Sequence, residues 1–224
     1  TTYDKDEGQE ISGITLTPDG SRVIFVRGAD HGAFDETIPR NPSSSTHPPA
    51  IRLYSIPFSG GITKFLSEGD EAVVSPDGKQ VAFIKDRQAW IVPVDGSKAA
   101  KALFYDKGHT SGLQWSPDGS RIAFISSRGD HSFIGIFLNT DSPIQWIAPA
   151  FARDASPRWS PDGKRLVFIR RPASGGAPDS LTVERYQPWS VQMADLASGK
   201  INQLWKSPET LRGSVPASHG RYNL

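Results

Sequence analysis

The chain has 224 residues, with 25 Lys or Arg against 24 Asp or Glu and a formal charge of +1 when its five His are neutral, a balance that excludes a general nucleic-acid binder. Hydrophobic residues make up 37% and charged residues 22%, enough apolar surface for a core and too ordinary a composition for disorder, at a length that one all-β domain commonly has. There is no Cys, so disulfides, thiolate metal sites, iron-sulfur clusters and Cys nucleophiles are excluded. The 21 Gly and 18 Pro exceed the usual share and belong in turns, which predicts many short strands. No apolar run approaches the roughly 20 residues that span a bilayer, and the polar, acidic residues 1–10 do not read as a signal peptide.

In chain order, four segments align without gaps: residues 17–26 (TPDGSRVIFV), 75–84 (SPDGKQVAFI), 116–125 (SPDGSRIAFI) and 160–169 (SPDGKRLVFI). With Pro, Asp and Gly each near one residue in twenty, chance supplies Pro-Asp-Gly about 0.03 times in such a chain. Four copies in one ten-position template mark an internal repeat. Their spacings of 58, 41 and 44 residues fit the roughly 40 to 50 residues of a β-propeller blade, the first lengthened by an insertion. The template reads as a hairpin turn: Pro fixes φ at about −65°, Asp fits the third position, and Gly supplies the left-handed residue that closes a bulged loop. The strands that follow are apolar at every position, which predicts burial on both faces, between neighbouring blades. Leu16, Val74, Trp115 and Trp159 end the strand before each turn, where a large side chain packs between blades.

Each repeat supplies four strands, one blade. In the second they fall near residues 72–74, 80–85, 89–94 and 101–105; elsewhere the third strand recurs at 52–56, 135–138 and 190–193, and the fourth at 63–66, 144–147 and 202–205. The predicted fold is all-β, a β-propeller of four-stranded antiparallel blades, with blades near 10–69, 70–108, 109–154 and 155–213 in a single segment 1–224. Residues 214–224 read as the start of a further blade, so about four blades of an incomplete propeller are expected. Neither end shows a capping pattern, and open blade edges predict self-association of the segment by itself.

The W-S-P-D-G-K-R-x-x-F-I pattern resembles the propeller repeats of TolB-like proteins and of the prolyl oligopeptidase and dipeptidyl peptidase IV family of serine peptidases. The stretches 83–87 (FIKDR), 128–136 (RGDHSFIGI) and 205–214 (WKSPETLRGS) are more similar to the peptidases. That resemblance implies a propeller preceding an α/β-hydrolase catalytic domain of the same polypeptide, covering its active site and filtering peptide substrates. It also implies a bacterial periplasmic or secreted location, with the cytoplasm left open. The chain itself has no catalytic residues by this reading: no Gly is followed two positions later by Ser, so the G-x-S-x-G nucleophile elbow does not exist here. Phosphate-loop and H-E-x-x-H signatures are absent as well, and no cofactor, nucleic-acid or membrane partner is expected.

The P-D-G turns join first to second strands and share one face of a propeller; the longer, charged second-to-third-strand loops and the blade connections share the other, where specificity usually resides. In dipeptidyl peptidase IV relatives an Arg-His-Ser-Tyr stretch after a second strand helps bind substrate, and a Glu-Glu pair before a W-S-P turn clamps its amino terminus. The corresponding residues here are Asp130-His131-Ser132-Phe133, with Arg128 two residues earlier, and Arg153-Asp154 in place of the Glu pair. The resemblance thus makes Arg128, Asp130, His131, Arg153 and Asp154 substrate-facing candidates, without the double carboxylate of dipeptidyl specificity. The alternative for these five is a solvated network of loop charges.

The insertion 28–50 holds Asp30, His31, Asp35, Glu36 and His47, but their spacing matches no metal motif and the Pro- and Ser-rich composition suggests a lid or surface arm. Residues 4–8 miss the Gly position of an EF-hand. No metal site is expected. The leading functional expectation is a non-catalytic, gating propeller of a serine peptidase; the alternative is a TolB-like scaffold for protein partners. A sugar- or phosphate-processing propeller enzyme lacks a convergent set of carboxylates or His.

Overall fold

A computed structural model of the chain describes residues 11–31, 37–39, 50–173 and 189–210. Outside them lie most of the insertion 28–50 with Asp35, Glu36 and His47, the acidic segment 4–8, most of the loop 170–189, and residues 214–224 expected to open a further blade. The described residues form strands and no α-helix. The first sheet begins with β1 (Ile11–Leu16) and β2 (Arg22–Arg27); the insertion then carries a separate pair, β3 (Ala29–His31) and β4 (Thr37–Pro39), before β5 (Arg52–Pro57) and β6 (Lys64–Glu68) complete the sheet in the order β1-β2-β5-β6. The second sheet is β7 (Asp70–Val74), β8 (Gln80–Lys85), β9 (Gln88–Pro93) and β10 (Lys101–Phe104). β11 (His109–Trp115), β12 (Ile122–Ser127), β13 (Ser132–Phe137) and β14 (Gln145–Ile147) make the third, and β15 (Ala152–Trp159), β16 (Arg165–Pro172), β17 (Ser190–Asp195) and β18 (Ile201–Lys206) the fourth. A parallel bridge between Ser132 and Arg153 ties β13 to β15. The fold is all-β, four four-stranded antiparallel blades of a β-propeller. Contacts group these blades into two compact units, one reaching Leu103 and the other beginning at Phe104.

Each blade is closed at one end by the same turn. The Gly amide donates to the carbonyl three residues back, at 2.8 Å, in all four copies (Gly20 to Thr17, Gly78 to Ser75, Gly119 to Ser116, Gly163 to Ser160). These glycines have φ between 66° and 71°, the left-handed region that costs an L side chain about 1–2 kcal/mol. The first residue of the template is the hinge of the turn. The Ser116 hydroxyl donates to Asp118 Oδ1 (2.5 Å) and accepts from the Arg121 amide (2.9 Å); Ser75 and Ser160 do the same with Asp77 and Gln80, and with Asp162 and Arg165. The Asp also accepts from the amide two residues on, at 3.0–3.1 Å in all four blades. Hydrogen bonding from Thr17 or Ser116, and then from the residue after Gly, holds Asp19 and Asp118 at about 2, and the same donors lower Asp77 and Asp162.

A second recurring device lies four residues before each turn. β1, β7, β11 and β15 all break register there against their partner strands, and the residue at the bulge is left-handed: Gly13 (φ 58°), Glu71 (51°), Gly112 (59°) and Ser156 (52°). At Gly112 it is the left-handed φ that selects Gly, since an added Cβ would meet only the movable end of the Ile125 side chain. The bulge bends the strand and raises its twist.

The second strands fill the core. Val81, Ala82 and Phe83 are fully buried, as are Ala123 and Phe124, and Leu166 and Phe168. In the first unit Phe83, Val81 and Val92 of the second blade pack on Ile24, Val26, Leu53 and Leu66 of the first. In the second unit Leu166, Phe168 and Ala194 of the fourth blade pack on Ala123, Ile134, Ile136 and Ile147 of the third. The Trp159 indole donates to Gln114 O (3.1 Å), and the Arg121 guanidinium lies over its ring at 4.7 Å while donating to Gly163 O (2.7 Å). The blade seam of this unit is therefore latched at its turn end by polar bonds.

Removing the Ser116 hydroxyl, with its two hydrogen bonds, by Ser116→Ala is expected to destabilise by about 1–2 kcal/mol and lower Tm by roughly 3–6 °C, read by thermal unfolding. Because the turn carboxyls titrate lower folded than unfolded, their contribution is whole above the unfolded value and is lost as pH falls from about 4 toward 2. Acid titration followed by circular dichroism should show that loss in the native protein and less of it in Ser116→Ala; equal acid sensitivity of the two would contradict the role given to the hydroxyl.

Candidate functional site

The five residues singled out by the sequence come together in the second unit, at the end of the blades opposite their P-D-G turns. The β12–β13 connection is a tight loop in which the Arg128 amide donates to His131 O (2.8 Å). The Arg128 side chain folds back, donating from Nη2 to Asp106 Oδ1 (3.1 Å) and from Nε to Ser126 Oγ (3.1 Å). Its guanidinium also lies over the rings of Trp146 (5.5 Å) and Phe133 (5.6 Å). Charge pairing and two aromatic faces thus fix a cation that remains 28% exposed.

His131 Nδ1 lies 2.7 Å from Asp130 Oδ1, and this hydrogen bond holds the Asp130 carboxyl below the ordinary range for a carboxylate. The imidazole stands edge-on to Phe133 at 4.9 Å and against Phe151 at 5.4 Å, in the β14–β15 connection. Phe151 is 70% exposed. Arg153 donates from Nε to Asp130 O (3.2 Å), tying the first residue of one pair to the backbone of the other.

Asp154 sits differently from the other four. Its side chain is fully buried, and both oxygens are bound by Arg170, Nε to Oδ1 at 2.7 Å and Nη2 to Oδ2 at 2.8 Å. Burial pushes the Asp154 carboxyl up against the pull of this guanidinium, while the carboxylate raises Arg170 further. The same Nη2 reaches Ala148 O (2.7 Å), at a residue held at φ 42°, and the Ser132 hydroxyl donates to Asp154 O (2.7 Å). The carboxylate expected as a partner for a substrate amine is therefore committed to Arg170, which clamps the connection bearing Phe151 onto the strand bearing Arg153.

Sequence reasoning missed Arg170, Trp146, Phe151 and Asp106. A cation ending a second strand opposite an acid in the first is the signal that finds Arg170, visible in β15–β16 pairing, where Asp154 faces Arg170. A cleft of about 240 Å³ opens beside the clamp, lined by Ala152, Arg170, Arg171, Trp189, Gln203 and Lys206 among others. Among the described residues no group of three or more His, Cys, Asp or Glu is placed to hold a metal ion, and no helix is long and apolar enough to cross a membrane.

The sequence matches no protein-family model and no curated protein. Solved structures match the fold. TolB from Acinetobacter baumannii is 19% identical with a TM-score of 0.58, over 89% of this chain and 44% of its own. The β-propeller domain of the Trilobed protease from Pyrococcus furiosus, described as having an open velcro topology, is 14% identical with a TM-score of 0.58, over 88% and 57%. Oligogalacturonate lyase from Vibrio parahaemolyticus is 17% identical with a TM-score of 0.60, over 91% and 56%. The chain thus spans about half the length of these proteins. At such identities the likeness shows a shared β-propeller fold.

Arg170→Met leaves a buried carboxylate without its cation and is expected to destabilise by about 3 kcal/mol at neutral pH. The deficit should shrink at mildly acidic pH, because the uncompensated carboxyl, raised by burial, takes up a proton in the folded variant. Urea unfolding at the two pH values tests this, and a deficit independent of pH would contradict the pairing.

Proposed function

We propose that the chain is the non-catalytic propeller portion of a serine peptidase of the prolyl oligopeptidase kind, gating and filtering peptide access to an α/β-hydrolase domain of the same polypeptide. The observation that carries this reading is the loop-end cluster. Arg128 is held rigid between Trp146, Phe133 and Asp106, with Arg153, His131 and the exposed ring of Phe151 around it. Fixed guanidinium donors beside exposed aromatic surface suit an extended peptide, whose carbonyl or carboxylate oxygens accept and whose side chains stack. In this reading Arg128, Asp130, His131 and Arg153 face the peptide, and Asp154 holds them in place through Arg170. The propeller fold is shared with a protease propeller domain, and the family resemblance of residues 128–136 and 205–214 favours the peptidase. A periplasmic or secreted location accords with the TolB likeness.

The reading leaves chemistry to another domain, since this sequence has no nucleophile elbow. Immunoblotting of the source cells, with fluorophosphonate labelling of the same band, tests it. A labelled band several times heavier than 24.4 kDa is expected. An unlabelled band would overturn the peptidase and leave the TolB-like scaffold for protein partners. In the labelled enzyme, Arg128→Ala and Arg153→Ala should each raise KM about ten-fold with kcat little changed, the signature of lost ground-state binding; unchanged kinetics would remove these residues from substrate contact.

A further inference from the structure

The charged groups at the loop end of the second unit are paired in a way that leaves positive charge over. Asp106 is bound by Arg128, Asp130 by His131, Asp154 by Arg170 and Glu209 by Lys206, so each of these carboxylates already has its partner. Arg153 has no counter-ion among the described residues. Its Nε donates to a neutral acceptor, Asp130 O at 3.2 Å, and its Nη1 and Nη2 carry no hydrogen bond there. Lys107, exposed beside Asp106, likewise stands outside every ion pair among the described residues.

Strand register supplies a second, independent observation. In the β15–β16 ladder Arg153 is the cross-strand partner of Arg171, and both are half-buried. Directly opposed residues share one face of a sheet with Cβ atoms about 5 Å apart, where like charges are unfavourable; an anion beside the two offsets that repulsion. Arg128 brings a further guanidinium from across the bridge between Ser132 and Arg153. It commits Nε to Ser126 and Nη2 to Asp106, which leaves Nη1 available. The spare acceptor of the cluster is Asp130 Oδ2, on an acid whose ionised form the His131 hydrogen bond and the Arg153 charge already favour. Donors therefore exceed acceptors at this site.

We propose that the group this cluster selects is a peptide carboxylate, from an acidic side chain or a C-terminus, with Arg153 as the residue that sets the preference. The inference rests on the peptide-facing role proposed above and adds the charge of the group received. A guanidinium meets a carboxylate through two parallel N–H···O bonds, which Nη1 and Nη2 of Arg153 supply. The exposed ring of Phe151, two residues earlier, gives the adjoining apolar part of the peptide a surface to pack on. An ammonium group gains little by comparison. Asp154 is fully buried and binds Arg170 through both oxygens, and Asp130 is already bound to His131.

Equilibrium binding to the native, full-length polypeptide tests this, with fluorescein carried on a central Lys of the peptide so that both termini stay native, and anisotropy as the readout. A protein that takes the fluorophosphonate label is used with its reactive Ser changed to Ala, so that no peptide is cleaved. One peptide sequence containing a single Glu is compared with three variants: amino terminus acetylated, C-terminus amidated, and the Glu replaced by Gln. Acetylation is expected to change Kd less than about two-fold, while amidation or the Gln replacement weakens binding about ten-fold; the variant that weakens identifies which carboxylate is held. Arg153→Met should abolish that difference, and Arg153→Lys, which keeps the charge and loses the fork, should keep part of it. Equal binding of all four peptides, a larger loss on acetylation than on removal of either carboxylate, a discrimination that persists in Arg153→Met, or no binding of any peptide would each overturn the proposal. Absence of the fluorophosphonate label counts against the peptidase reading alone, because the peptide series is read without turnover.

Discussion

The structure rests on a hydroxyl, a carboxylate and a glycine in a fixed order. A two-layer packing of blades requires every second strand to be apolar on both faces, and such a strand has no polar edge of its own to set where it begins. The turn before it does so. Ser75, Ser116 and Ser160 each hold an Asp with the hydroxyl proton and, with a lone pair, the amide at or just before the start of the second strand. Thr17 accepts from Arg22 in the same way. Ser75 and Ser116 are buried and Ser160 is half-buried, so an unpaired hydroxyl would be penalised most in the second and third blades, where hydrogen bonding fixes one register. Once the register is set, Phe83, Phe124 and Phe168 arrive at equivalent depths, and burying such a ring stabilises by roughly 3 kcal/mol.

The opposite ends of the blades obey a different rule. Their connections differ in length and chemistry, and in the second unit they are held by an ion pair instead of a repeated turn. Arg170 and Asp154 join β16 to β15, and through Ala148 and Ser132 they reach the third blade. A buried pair of this kind is weak evidence for added stability. Its effect is positional: Arg153 and Phe151 flank it on one strand and its approach, and Arg128 and His131 stand across the bridge between Ser132 and Arg153. The repeated geometry of the turns and the varied chemistry of the connections divide the blades into a constant end and a variable one.

The fold was legible because its signal is local. Pro-Asp-Gly determines a turn within a few residues, the apolar runs after it determine buried strands, and the four copies reinforce one another; strands expected at 80–85 and 101–105 appear as Gln80–Lys85 and Lys101–Phe104. The bulges were not legible, since Glu71 and Ser156 have no intrinsic preference for the left-handed region and adopt it because the strand must bend there. The site was partly legible. Family likeness pointed to Arg128, Asp130, His131, Arg153 and Asp154 as substrate-facing candidates, but Asp154 is bound by a partner 16 residues away on the next strand, and the sandwich around Arg128 draws on Trp146 and Asp106, distant from it in sequence. Trp146 reaches Arg128 from the strand β14 and Asp106 from the β10–β11 connection, and such pairings are set by sheet register and blade packing, which a linear pattern does not carry.

Hydrogen exchange followed by mass spectrometry or NMR reports most directly on whether one turn chemistry closes every blade. The amides of Arg22, Gln80, Arg121 and Arg165, each donating to the hydroxyl that opens its turn, should be protected well above coil rates and as a group, while the amides of exposed loop residues such as Ser59 and Ile62 exchange freely. Coil-like exchange at these four positions, or protection in one blade and its absence in the others, would contradict the account of a repeat held by a common polar lock.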